Sequence, residues 1–323
     1  MRIGIYGYGN LGKGVEKAIL SSSDASVVGI FTRRAEKGVA SPFGNAVYGT
    51  EKAESFKNKI DVMIICGGSA SDLPKMTPSL AKIFNVVDSF DNHSKAVEHF
   101  SAVDKAAREC GKVAMISAGW DPGIFSLSRL YFSAFLPSGI TYTLWGPGVS
   151  QGHSEALRRI EGVVDARQYT IPKPSIKSKL LSEGSKSFAP SEIHRRECYV
   201  AVKDGADKEK IRNEITGMEG YFKGYDVDIT FVSESELKER HSKMNHSGSV
   251  IRVKNNGTED DASLELSLKM DSNPDFTASV LLASARAVFR LSFQEVVGCV
   301  TVADIPPVYF SEFGRDEFLK KFI

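Results

Sequence analysis

From residue 2 to about residue 120, short apolar runs alternate with longer segments whose apolar residues recur every three or four positions. The run at 2–6 carries Ile3 and Ile5 on one side. After Gly12, the spacing of Val15, Ala18 and Ile19 predicts an amphipathic helix. Runs at 27–31, 61–66, 85–89 and 113–117 read as further strands, with helical stretches such as 80–84 and 94–110 between them. Apolar strands joined by helices predict a parallel sheet with helices on both faces. Ligands of such sheets bind beyond the carboxyl ends of the strands. After residue 123 the pattern changes. Runs at 141–145, 167–171, 197–202, 226–232, 250–253 and 262–270 read as strands, several alternating polar with apolar, and only a few helices such as 207–218 interrupt them. A second α+β domain on a mixed or antiparallel sheet is expected there. The Lys-, Ser- and Pro-rich stretch 172–192 reads as a mobile surface loop or lid, and 275–293 as a long apolar helix. The domains expected are 1–122, with about 294–323 packing back on it, and 123–293.

The first strand runs directly into Gly7-Tyr8-Gly9-Asn10-Leu11-Gly12. In a dinucleotide-binding βαβ unit the first glycine makes the tight turn, the second lets backbone approach a pyrophosphate, and the third permits close helix–strand packing. With a strand before it and a helix after, this pattern predicts a Rossmann-type domain. The second strand ends in Thr32-Arg33-Arg34, where a carboxylate would accept from the ribose 2′-hydroxyl of NAD. Two guanidinium groups there suit a 2′-phosphate, which they can hold bidentately. NADP is therefore the expected cofactor.

Bulk properties narrow the field. The 323 residues suffice for two domains with cores of their own, and a net charge of +1 gives no global field for nucleic acid or anionic membrane. No run approaches the ~20 apolar residues of a membrane span, and Met1 leads straight into the first strand with no signal-peptide pattern. Cys66, Cys110, Cys198 and Cys299 are far apart, as expected of thiols in a reducing cytoplasm. The histidines lack metal-site spacing, so no metal is expected.

Candidate chemistry gathers at strand ends. Asp91 and Asp121 each follow an apolar strand. Two carboxylates there can hold a substrate ammonium group and take a proton as an amine becomes an imine. Each also suits a helix cap or turn. Trp145-Gly146-Pro147-Gly148 leads to Gln151-Gly152-His153-Ser154, either the wall of a small pocket or a core Trp with a structural loop. His194-Arg195-Arg196 and Asn245-His246-Ser247 are basic or polar spots suited to a carboxylate. These residues together imply an NADP-dependent oxidoreductase acting on a cationic or zwitterionic substrate.

The glycine loop, Asp88-Ser89-Phe90-Asp91-Asn92-His93, Gly119-Trp120-Asp121-Pro122-Gly123, the block from Trp145 to Ser154 and Asn273-Pro274-Asp275-Phe276-Thr277-Ala278-Ser279 closely resemble the meso-diaminopimelate D-dehydrogenase family. That resemblance implies reversible NADP-dependent oxidative deamination at the D-centre of meso-2,6-diaminopimelate, in a homodimer. It implies Tyr8, Gly9, Asn10 and Leu11 on the pyrophosphate and Thr32, Arg33 and Arg34 on the 2′-phosphate. Gly68, Ser69, Ala70, Ser89, Phe90, Ala118, Gly119, Trp120 and Pro122 would line the nicotinamide half, close to Asp91 and Asp121, which would handle the reacting amino group. Trp145, Gln151 and Gly152 would shape the substrate pocket. Thr170, Arg196, His246 and Asn273 would fix the distal L-centre, Arg196 on its carboxylate. The alternatives are another NADP-dependent reductase of similar build, a broad D-amino acid dehydrogenase, or a non-catalytic NADP-binding sensor.

Overall fold

The computed structural model describes residues 1–183, 186–254 and 261–323. It divides into two compact units, Met1–Leu127 with Pro274–Ile323, and Ser128–Asn273. In the first, strands β1 (Arg2–Tyr6), β2 (Ser26–Phe31), β3 (Val47–Tyr48), β4 (Val62–Ile65), β5 (Asn85–Asp88) and β6 (Val113–Met115) are joined by Gly298–Val300 from the far end of the chain. All pair in parallel, in the order Gly298–Val300, β6, β5, β4, β1, β2, β3. Alternation along β4 explains its unbroken apolar run. Val62 and Ile64 enter the core on one face with Ile3, Ile5, Val15 and Ile19, while Met63 and Ile65 enter the opposite core with Phe31, Phe84, Val86 and Val103.

Several elements depart from the sequence reading. The helix expected at 80–84 spans Leu73–Ala81, and its prolines, Pro74 in the first turn and Pro78 inside, disguise the period. The helix at 275–293 runs Asn273–Ser292. Position along the chain assigned it to the second domain, yet from Pro274 onward it belongs to the first unit. Its Ala278, Leu281, Leu282, Ala285 and Val288 are buried in the core that holds Ile3 and Ile5. The strands Val47–Tyr48 and Gly298–Val300 are too short to show a period.

The second unit contains β7 (Ile140–Trp145), β8 (Gly148–Val149), β9 (Val163–Pro172), β10 (His194–Val202), β11 (Asp226–Phe231), β12 (His246–Lys254) and β13 (Ala262–Met270). They form two sheets rather than one, ordered β11-β10-β9-β8 and β13-β12-β7. Pairing is antiparallel except between β10 and β11. The stretch 172–192 is more structured than expected of a loop. It contains helices Ile176–Ser182 and Pro190–Ile193, whose Ile176, Leu180 and Ile193 pack with Tyr142, Leu144 and Ile251. Residues 184–185 of it lie outside the described residues. No helix among the described residues is long and apolar enough to cross a membrane.

Candidate active site

Parallel pairing puts the carboxyl ends of β1, β2, β4, β5 and β6 on one edge of the sheet. At that edge the Gly7 amide donates to the Phe31 carbonyl at 2.8 Å, and the helix Asn10–Leu20 starts at Gly9. A Cβ at position 12 would lie 2.2 Å from the Gly7 oxygen, so only glycine permits this packing. Nothing lies within 4 Å of a Cβ built at Gly9, which leaves the loop backbone open beside the amide end of the helix carrying Asn10 and Leu11. Tyr8 behaves differently from the glycines around it. Its ring is buried, its hydroxyl donates to Glu16, and burial with that carboxylate pushes the hydroxyl up to about 12. Only the main chain of Tyr8 is left for a phosphate, and its carbonyl accepts from Arg34 Nη2 at 2.7 Å.

Thr32 is buried, whereas the Arg33 side chain is 69% exposed and pairs with Asp72 at 3.2 Å. A cleft of about 140 Å3 is lined by Gly7, Thr32, Arg33, Arg34, Cys66 and Asp72 among others. Burial pushes the Cys66 thiol up to about 12, so it is no nucleophile at neutral pH. Among the described residues, Asp72 is the only carboxylate hydrogen-bonded to either arginine. An open glycine loop, a helix amide end and two guanidinium groups, one paired with Asp72 and the other with the Tyr8 carbonyl, fit a phosphorylated dinucleotide.

Three loops continue along the same edge. Gly68, Ser69 and Ala70 follow β4, and Ser69 Oγ accepts from the Asp91 amide at 3.0 Å, tying this loop to the one after β5. Asp91 is exposed, with Ser89 half-buried before it. Phe90 between them is buried and stacked on His99 at 4.1 Å between ring centres, so its ring is a packing group. After β6, Ala118 is fully buried and the Gly119 amide donates to the carbonyls of Ser117 at 3.2 Å and Pro122 at 3.0 Å. That turn carries Trp120, which meets Phe125 edge to face, and the half-buried Asp121, joined to Pro122 by a cis peptide bond.

In the second unit, antiparallel register sets Arg196 of β10 opposite Thr170 of β9, and Thr170 opposite Gly148 of β8. Arg196 Nη1 donates to Thr170 Oγ1, and the guanidinium lies 4.2 Å from the centre of the Tyr225 ring. Arg196 is only 8% exposed, its Nε has no partner, and no carboxylate among the described residues pairs with it. A Cβ on Gly148 would fall 2.4 Å from the His246 ring, so this glycine of the Trp-Gly-Pro-Gly run is there for the histidine's close approach. The Trp145 amide donates to His194 Nε2 at 2.9 Å. Gln151 and Gly152 are exposed at the start of the helix Gln151–Arg158, and Gln151 Nε2 reaches Met244 Sδ at 3.6 Å. The Asn273 amide donates to the Met244 carbonyl at 2.8 Å.

Burial, aided by the Arg196 charge, brings His153 and His194 down to about 4. Burial lowers His246 as well. At neutral pH the cluster therefore holds one cation, Arg196, among neutral polar groups, which suits a carboxylate. Among the described residues no group of three or more His, Cys, Asp or Glu is placed to hold a metal ion.

Residues 119–272 match the family model of the diaminopimelic acid dehydrogenase C-terminal domain. The chain is 49% identical to the meso-diaminopimelate D-dehydrogenase of Acetivibrio thermocellus, over all of this chain and 98% of that one. The chain belongs to the meso-diaminopimelate D-dehydrogenase family. It is accordingly an oxidoreductase. A six-substitution variant of the Clostridium tetani enzyme, solved with DAP, superposes with a TM-score of 0.95 at 43% identity, covering 100% of this chain and 99% of that one. An engineered D-amino acid dehydrogenase bound to NADP+ superposes with a TM-score of 0.89 at 37% identity, with the same coverage.

The sequence reading assigns no role to three residues that the structure brings into these surroundings. Asp88 stands out as the polar end of an otherwise apolar strand, and His99 lies inside an amphipathic helix. Tyr225, under Arg196, left no signal, because only the fold brings it there.

Proposed function

We propose that this protein catalyses the reversible, NADP-dependent oxidative deamination of meso-2,6-diaminopimelate at its D-centre, giving L-2-amino-6-oxopimelate, ammonium and NADPH, in cytoplasmic lysine biosynthesis and as a homodimer. The observation that carries it is Arg196, a buried guanidinium with an unpartnered Nε and, among the described residues, no carboxylate paired with it. A buried charge without a counter-ion is costly, so a ligand carboxylate is its natural complement.

The remaining roles follow. The loop main chain at Tyr8, Gly9, Asn10 and Leu11 holds the pyrophosphate, and Thr32, Arg33 and Arg34 the 2′-phosphate. NADP+ held there would supply the hydride acceptor for the D-centre carbon. Asp91 and Asp121 hold the reacting ammonium and take its proton as the amine becomes an imine, which water hydrolyses. Arg196 with Thr170, His246 and Asn273 fixes the L-centre, while Trp145, Gln151 and Gly152 bound the substrate. The residue types replaced in the Clostridium tetani variant (Gln, Thr, Arg, Pro, His and Asn) follow one another at the spacing of Gln151, Thr170, Arg196, Asn245, His246 and Asn273. That coincidence supports the second group.

The test is nicotinamide reduction followed by absorbance, with meso-diaminopimelate and either NADP+ or NAD+, and with the LL and DD isomers and D-alanine in parallel. NADP+ turnover confined to the meso isomer is expected. Equal turnover of D-alanine would replace this reading by a broad D-amino acid dehydrogenase. Turnover of none, in protein that still binds NADPH, would leave a sensor.

A further inference from the structure

We infer that Asp88 is the positioning residue for both candidate catalytic carboxylates, setting the loops of Asp91 and Asp121 from one buried side chain. The inference rests on the proposed reaction. Asp88 is the last residue of β5 and is fully buried. Its Oδ1 accepts from the amides of Phe90 and Ser117, each at 3.0 Å. Its Oδ2 accepts from Thr77 Oγ1 and meets His99 Nε2, each at 2.7 Å. A carboxylate offers about four acceptor positions, and here all are filled. The main-chain carbonyl of Asp88 also accepts from the Ala118 amide at 2.9 Å.

The identity of the two amides matters. Phe90 immediately precedes Asp91, and Ser117 opens the turn that carries Trp120 and Asp121. Ser117 has a φ of 57°, a left-handed conformation that costs a non-glycine residue energy, and its Oγ is buried without a partner. The Ser117 side chain makes no hydrogen bond, so the Asp88 carboxylate and carbonyl anchor the start of the turn, beside the Gly119 amide bonds to the Ser117 and Pro122 carbonyls. The two Asp88 oxygens divide the work. Oδ1 faces the loops, while Oδ2 is clamped by Thr77 on the helix Leu73–Ala81 and His99 on the helix Ala96–Glu109. The carboxylate plane is thereby set by rigid elements before it meets the loops. His99 also stacks on Phe90, adding a second hold on the Asp91 side.

The tautomer follows from the partners. His99 Nδ1 is buried with no hydrogen-bond partner, and Asp88 Oδ2 can only accept, so Nε2 carries a proton and donates it to Asp88. Asp88→Asn can keep Oδ1 as acceptor for both amides if His99 moves its proton to Nδ1 and the Thr77 hydroxyl turns to accept. Asp88→Ala keeps neither side.

The test uses the 323-residue protein and substitutions at Asp88, His99 and Asp121, reading turnover, KM for NADP+ and deuterium uptake of the segments 89–92 and 117–123. Asp88→Ala is expected to lower kcat more than tenfold, leave KM for NADP+ within about twofold, and raise uptake in both segments together. Asp88→Asn should restore most of kcat, and the loss in Asp88→Ala should shrink sharply in an Asp121→Asn background, because residues acting as a unit are non-additive. If Asp88→Ala does not fold, His99→Phe serves. It keeps the ring on Phe90, removes one donor, and should lower kcat several-fold with the same uptake pattern. Folded variants with wild-type uptake in both segments, or with kcat losses that add to Asp121→Asn, overturn the inference. Absence of wild-type turnover overturns the proposed reaction instead, and the uptake result then still decides whether Asp88 holds the loops.

Discussion

Two arginine sites in this molecule stand in opposite surroundings. Arg33 and Arg34 are neighbours at the end of β2 and remain exposed, Arg33 steadied by Asp72 at 3.2 Å. Arg196 is buried on β10, stacked over Tyr225, with a hydrogen bond to Thr170 and no acid paired with it among the described residues. Water screens the exposed pair, so it adds affinity in modest, salt-dependent increments. At the buried site the desolvation cost is already met by the fold. An arriving carboxylate there meets an undiluted charge, and an uncharged group in its place leaves that charge stranded.

The largest effect expected from this contrast is at Arg196. Arg196→Met should raise KM for meso-diaminopimelate by the equivalent of about 2–5 kcal/mol, roughly thirtyfold or more. The same change removes an uncompensated buried charge, so the melting temperature should hold or rise. An unchanged KM would take Arg196 out of the site. A smaller and more specific effect is expected of Arg33→Ala with Arg34→Ala. KM for NADP+ should rise about 10- to 100-fold, from about 1.5–3 kcal/mol of charged hydrogen bonding, while KM for NAD+ barely moves. Equal losses for both nucleotides would refute the 2′-phosphate assignment.

A third effect, of a different kind, is on stability against pH. His153 and His194 titrate near 4 in the folded chain and near their ordinary 6.5 when unfolded. Between those values the unfolded state binds more protons, so stability should fall as pH drops from 6.5 toward 4 and stay flat above 7. Urea melts across pH 4.5 to 7.5 measure it, and His194→Asn should reduce the slope. A slope unaffected by that substitution would mean that His194 does not contribute.

Much of the first unit was legible because its signals are local. Gly7, Gly9 and Gly12 lie within one turn and its following helix, and Thr32-Arg33-Arg34 within one strand end. A period of 2 or 3.6 needs only neighbouring residues to show itself. Where local signals conflict, the reading slipped. Pro74 and Pro78 masked the helix Leu73–Ala81, and the even apolar character of Asn273–Ser292 did not say which core would bury it. Tyr8 sits between two glycines that serve the loop backbone, yet its ring turns inward to Glu16.

By itself the chain determined a dinucleotide-binding parallel sheet, a second α+β unit, the arginine pair at the end of β2, and two carboxylates after apolar strands. These depend on spacing along the backbone, which a linear string records. The tertiary structure alone decided the rest. It set Thr170 opposite Arg196, brought Tyr225 beneath it, pressed His246 against Gly148, and gathered Phe90, Ser117, Thr77 and His99 around Asp88. Those pairings join residues from separate strands, helices and loops. They exist only once strand register and core packing have excluded water and left most buried polar groups to find partners among the others.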